Sequence, residues 1–168
     1  SLQQHFQDFT NQVYNSETGL VRKDIILSGT KDMAKRQSAF YDNVMYWKTY
    51  QLSQKLGIVE QNQQVLDELK QRIIHTFWNE EEGIFIEDLS QESIEEQWYS
   101  SDWLIAYQTG FLDPKNPEEL EYLQKSVAYI RRNAIDQPFG LQYHADFRPE
   151  QMHFIVRVSA PSYGSTTI

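Results

Sequence analysis

Apolar positions recur along this chain with a helical period. Leu2, Phe6, Phe9 and Val13 share one face of a first segment, and Val44, Trp47 and Leu52 one face of a second. Val59, Leu66, Leu69, Ile73 and Phe77 do the same in a third, and Leu120, Leu123, Val127 and Ile130 in a last. Side chains three and four apart meet on one side of an α-helix, so each stretch predicts an amphipathic helix that buries that side. The second pattern starts at Asp42-Asn43-Val44 and runs to Leu56-Gly57-Ile58. A further one starts at Asp102-Trp103-Leu104 and runs to Thr109-Gly110-Phe111, shorter by about two turns. Gly57 and Gly110 stand where a helix end takes left-handed backbone. Asn116 reads as a cap and Pro117 as a first-turn residue, where its missing N–H costs little.

The turns between these helices repeat. Residues 13–24 and 77–88 both spell apolar-aromatic-Asn-x-Glu-x-Gly-aliphatic-x-x-x-Asp, with Gly83 lying 64 residues after Gly19. A weaker third copy, Pro138-Phe139-Gly140-Leu141 followed by Asp146, places Gly140 57 residues after Gly83. The unit is a helix, a tight glycine turn, a second helix, the Asn-x-x-x-Gly turn and a long loop. Two-helix units of this kind build open solenoids or closed toroids. The long loops, rich in Ser, Arg, Asp and aromatics, are expected on one face, where function on a rigid helical scaffold concentrates. Phe154, Val156 and Val158 alternate, which predicts a short strand near the end. Residues 1–168 read as one incomplete helical-hairpin domain of about two and a half units, in a natural chain that continues.

Composition narrows the partners. Aromatics make up 14 % of the chain, with four Trp, ten Tyr and nine Phe, which raises the expectation of a flat ligand such as a sugar or nucleobase. A formal net charge of −9 argues against nucleic acid, since no basic block offsets it locally. With no cysteine, disulfides and thiolate metal sites are excluded. The four histidines, His5, His75, His144 and His153, have no metal-ligand spacing, so no metal is expected. Neither a nucleotide motif nor a Gly-x-Ser-x-Gly elbow is present, and no cofactor is expected. No apolar run approaches membrane-spanning length, and the cytoplasm is the simplest location.

The stretch Ser28-Gly29-Thr30-Lys31-Asp32-Met33-Ala34-Lys35-Arg36 resembles the Ser-Gly-x-x-Asp…Arg stretch of the six-hairpin glycosidases, trehalase-like and glucosidase-I-like enzymes. Ala160-Pro161-Ser162-Tyr163 is similar to a Pro-x-Tyr turn of the same superfamily. The resemblance spans nearly the whole chain and about the first half of such a barrel. It implies an all-α fold in which antiparallel helical hairpins form part of an (α/α) toroid, with long loops carrying short β segments. It also implies an inverting hydrolase of an α-glucoside or similar carbohydrate, with Asp32 as general acid and Arg36 on a sugar hydroxyl. The second carboxylate, a general base, would lie outside the chain, so this stretch alone would be inactive.

Each candidate has a plainer reading. Asp32 is equally a solvated loop residue, or one paired with Lys31, Lys35 or Arg36. Asp102, in Trp98-Tyr99-Ser100-Ser101-Asp102-Trp103, is a second acid candidate, but helix capping is the stronger expectation there, and at Asp42, its counterpart in the repeat. Tyr41, Trp98, Tyr99, Trp103 and Tyr163 are placed to stack on sugar rings, whereas Trp47 and Trp78 have core spacing. The rival to an enzyme is a non-catalytic helical-repeat module that binds a protein partner, or forms a homo-oligomer through the apolar edges of an incomplete barrel.

Overall fold

The computed structural model describes residues 1–25, 27 and 36–136. Its described residues hold six helices and two small antiparallel sheets. Helix α1 (Leu2–Val13) leads into strands β1 (Tyr14–Asn15) and β2 (Leu20–Val21). Helices α2 (Phe40–Lys55) and α3 (Gln63–Phe77) follow, then strands β3 (Trp78–Asn79) and β4 (Ile84–Phe85). The short α4 (Gln91–Glu95) precedes α5 (Trp103–Thr109) and α6 (Pro117–Arg132). The third turn copy around Gly140 and the expected strand at residues 154–158 lie outside the described residues.

The two turn copies have the same geometry, bond for bond. Tyr14 pairs with Val21 and Asn15 with Leu20; Trp78 pairs with Phe85 and Asn79 with Ile84. Gly19 N–H donates to Asn15 O at 2.8 Å, and Gly83 N–H to Asn79 O at 2.8 Å. Asn15 Oδ1 accepts from Glu17 N at 2.8 Å, as Asn79 Oδ1 accepts from Glu81 N at 3.0 Å. Gly19 and Gly83 both sit at φ +70°, a conformation strained for any residue with a Cβ. The named strands are therefore hairpins at the ends of α1 and α3, with a further isolated bridge between Ile86 and Tyr99 in the long connection.

Caps and turns explain the helix limits. Asn62 Oδ1 accepts from Val65 N at 3.2 Å at the head of α3, and Asn116 Oδ1 from Glu118 N at 3.0 Å at the head of α6. At the end of α2, Ile58 N donates to Ser53 O at 2.9 Å and Gly57 N to Gln54 O at 3.0 Å, with Gly57 at φ +69°. This paired ladder over a left-handed glycine satisfies the last carbonyls. Helix α2 begins at Phe40, two residues before the expected Asp42, and Asp42 sits buried in its first turn.

Helices α2 and α3 pack against each other, and α2 also packs on α5, which packs on α6. The core runs through their contacts. Phe40 is fully buried, stacked on Phe85 with ring centroids 4.4 Å apart and tilted against Phe77 at 5.6 Å. Trp47 meets Phe111 edge-on at 5.3 Å, and its indole N–H donates to Leu66 O at 3.2 Å. Trp78 packs against Phe85 and Tyr122, so both core-spaced tryptophans serve packing. Asn43 fastens β2 to α2: its Oδ1 accepts from Val21 N at 2.9 Å while its Nδ2 donates to Ala39 O at 2.8 Å.

Candidate functional site

The expected convergence of the long connections is present for the segments that precede α2 and α5. Residues 85–89, leaving the second hairpin, run between them. On one side Phe40 N donates to Glu87 O at 2.9 Å and Leu89 N to Gln37 O at 2.8 Å. On the other, Glu87 N donates to Trp98 O at 2.8 Å and Ser100 N to Phe85 O at 2.7 Å, with Ile86 and Tyr99 forming an antiparallel bridge. The result is a short three-segment ladder across the N-terminal ends of α2 and α5. Two non-glycine residues in it take left-handed backbone, Ser38 at φ 52° and Gln97 at φ 52°. Such positions cost on the order of 1–2 kcal/mol and persist where the surroundings impose them.

Charged side chains are buried along this ladder. Arg36 Nε donates to Glu87 Oε1 at 2.5 Å, with the two side chains only 5 % and 8 % exposed. Asp88 is buried too: its Oδ1 accepts from Ser90 N at 2.8 Å, and its Oδ2 from Gln37 N at 3.3 Å. Burial pushes the Tyr99 phenol well above the ordinary tyrosine range, and the neighbouring charges of Glu87 and Asp102 push the same way. Tyr99 is therefore neutral at any physiological pH, and Glu87 and Asp102 both lie within its electrostatic reach.

The expected site residues fall into two groups. Asp32 and Tyr163 lie outside the described residues. Arg36, Tyr41, Trp98, Tyr99, Asp102 and Trp103 lie on the ladder or at the two helix starts beside it. Their accessibility differs. Arg36 and Tyr99 are buried, the latter with its ring on Tyr129 at 5.7 Å, while Tyr41, Trp98 and Trp103 are half-buried. Trp98 donates its indole N–H to Glu96 at 2.9 Å. Trp103 packs against both apolar clusters, and its indole N–H is buried without a partner among the described residues.

Asp102 departs from its expected capping role. It occupies the cap position of α5, but its carboxylate makes no cap bond. Its backbone, at φ −78° and ψ 3°, is outside the extended region that aims a cap side chain at the next amides. Ser100 Oγ instead accepts from Asp102 N at 3.2 Å and approaches its Oδ2 at 3.4 Å. Asp42 and Asp102 are thus not equivalent, since one lies inside its helix and the other before it.

Glu87 was not marked by the sequence. In the repeat motif it falls on a variable position, matched by Lys23 in the first copy. That mismatch of charge was the available signal. Lys23 reaches the same region from the other hairpin, donating to Leu89 O at 3.1 Å.

No group of three or more His, Asp or Glu among the described residues is arranged to hold a metal ion, and no described helix is long and apolar enough to cross a membrane. Fold and site together define a helical-hairpin repeat whose connections meet in a polar, aromatic rim. No family model, no curated protein and no solved structure matches the chain.

Proposed function

We propose that the chain forms part of the wall of an (α/α) toroid of the six-hairpin glycoside-hydrolase kind, with the rim at the starts of α2 and α5 as its sugar-facing side. The observation that carries this reading is the juxtaposition of two long connections, which gathers Arg36, Tyr41, Trp98, Tyr99, Asp102 and Trp103 at one rim. Aromatic rings beside carboxylates are the chemistry that stacks on pyranose faces and binds their hydroxyls. Asp32, four residues before the anchored Arg36, is the general acid of this reading. Inverting hydrolysis of an α-glucoside needs such an acid and a base roughly 6.5–9.5 Å away to activate water.

The test is glucose release from α-glucosides by the native protein, with the anomer first formed read by proton NMR. Release of the β-anomer, abolished in Asp32→Asn, is the expected result. Full turnover in Asp32→Asn removes Asp32 from the mechanism. If no glucoside is bound or cleaved, the carbohydrate reading fails.

A second reading, a non-catalytic module that self-associates, is favoured by one observation. Helix α6 carries an open groove of about 650 Å³ lined, among the described residues, by Leu120, Leu123, Gln124, Val127, Ala128 and Arg131. Light scattering separates the readings, since a stable oligomer blind to every sugar favours the module.

A further inference from the structure

We propose that Glu87 is a positioning residue of the rim, a residue whose backbone and side chain together help hold the α2-side and α5-side connections in register. Its three bonding groups go to different places. The carbonyl accepts from Phe40 at the start of α2, the N–H donates to Trp98 ahead of α5, and the carboxylate holds Arg36 at 2.5 Å. A buried, charge-assisted bond between a guanidinium and a carboxylate is among the stronger side-chain contacts available to a fold. Breaking a buried ion pair by removing one partner is strongly destabilising.

The strained backbone at Ser38 and Gln97 supports the assignment. Each of the two segments that Glu87 joins carries one left-handed non-glycine residue, three positions or fewer from a Glu87 contact. Such conformations persist where surrounding contacts impose them, and the bonds to the central strand lie beside both residues. Glu87 touches neither substrate nor reacting atoms here. It acts through Arg36 and through the Trp98–Tyr99 segment, and its role at a sugar site rests on the carbohydrate reading above.

The coupling is testable in the full chain by NMR. In the wild type the Arg36 Nε–H signal should be visible and slow to exchange. Glu87→Gln should quicken that exchange by about a hundredfold, the factor expected for a lost charge-assisted bond. Arg36→Lys should shift the amide signals of Trp98 and Tyr99 across the ladder, and should shift them no further in a Glu87→Gln background. Should Glu87→Gln not fold, Glu87→Asp, which keeps the charge but shortens its reach, is read in the same way. Unchanged Trp98 and Tyr99 signals in Arg36→Lys, or unchanged Arg36 exchange in both Glu87 variants, overturn the proposal.

A binding arm uses maltose and trehalose as probes. Glu87→Gln should raise the Kd of the sugar that binds by about tenfold, with partial rescue by Glu87→Asp. A Kd unmoved by loss of the Arg36 contact overturns the positioning role. A wild type that binds neither sugar counts against the carbohydrate reading, and the NMR arm then decides the coupling by itself.

Discussion

Arg72 of α3 lies across Gly19 of the first hairpin, its Nη1 donating to Thr18 O at 3.3 Å. Lys125 of α6 stands over Gly83 of the second hairpin, so each turn is covered by a basic residue of a later helix. A Cβ at Gly19 would fall 2.4 Å from Arg72 Cδ, and one at Gly83 3.2 Å from Lys125 Cβ, whereas one at Gly57 would meet nothing within 4 Å. Gly57→Ala should therefore cost only the left-handed backbone penalty, about 1 kcal/mol. Gly83→Ala should cost more, about 2 kcal/mol, because Lys125 Cβ is fixed to its helix. Gly19→Ala should lie between them, since the Arg72 side chain can swing away at the expense of its bond to Thr18. Urea denaturation of the three variants measures this, and equal losses would refute the covering role.

Asn79 should matter more than Asn15. Both accept the same turn amides, but Asn79 Nδ2 also donates to Gln97 Oε1, at the start of the rim segment. Asn15→Ala should lose about 1 kcal/mol, the usual worth of such an acceptor. Asn79→Ala should lose roughly a further 1 kcal/mol for the second bond. Thermal melts of the two variants, with Asn79→Asp retaining the turn acceptor, give the comparison.

The Arg36–Glu87 pair should show strong non-additivity. Either Arg36→Met or Glu87→Leu alone should cost about 3–5 kcal/mol by breaking a buried ion pair. The double variant should cost less than the sum, with a coupling of roughly 1–3 kcal/mol. A double-mutant cycle by chemical denaturation reads the coupling directly, and additive losses would show that the pair does not act as one unit.

Alkaline pH should weaken the fold over a defined window. Burial raises the Tyr46 phenol from 10.0 to about 12. A raised folded-state value means the stability is fully present below pH 10, where both states are protonated. It falls as pH rises toward 12, because the unfolded chain ionises first. Tyr46→Phe keeps the ring stacked on Tyr14, 4.9 Å away, and should flatten this part of the profile. Stability measured between pH 9 and 12 for both proteins decides it.

The helices and their glycine ends were readable where burial imposes a 3.6-residue period on them, although Leu2, Phe9 and Leu52 keep the spacing and are exposed. The Leu66, Leu69, Ile73 and Phe77 stripe is fully or almost fully buried, as its spacing requires. The turn copies were readable because an Asn acceptor and a left-handed glycine are needed at fixed spacing. Helix α4, five residues long, is too short to show a period. The start of α2 was misplaced because Ala39, its cap residue, makes no side-chain bond and leaves no polar signal. Glu87 was hidden for a different reason. Aligning repeats draws attention to positions that agree, while a charge that ties two loops together belongs to one copy only.

The unequal lengths of α2 and α5 have a mechanical consequence. Lys48, in the middle of α2, donates to Thr109 O at 2.8 Å, so the last turn of α5 stops halfway along its neighbour. Beyond it α2 continues against α3 without α5 beside it, and Leu52 near its end and Leu56 at its cap are 44 % and 74 % exposed. Neighbouring units are thus keyed to one another at the ladder end and left unmatched at the other. Whole helical turns inserted or deleted near Gly57 would change the depth of the scaffold without displacing a single group at its mouth, so the far end offers room for redesign.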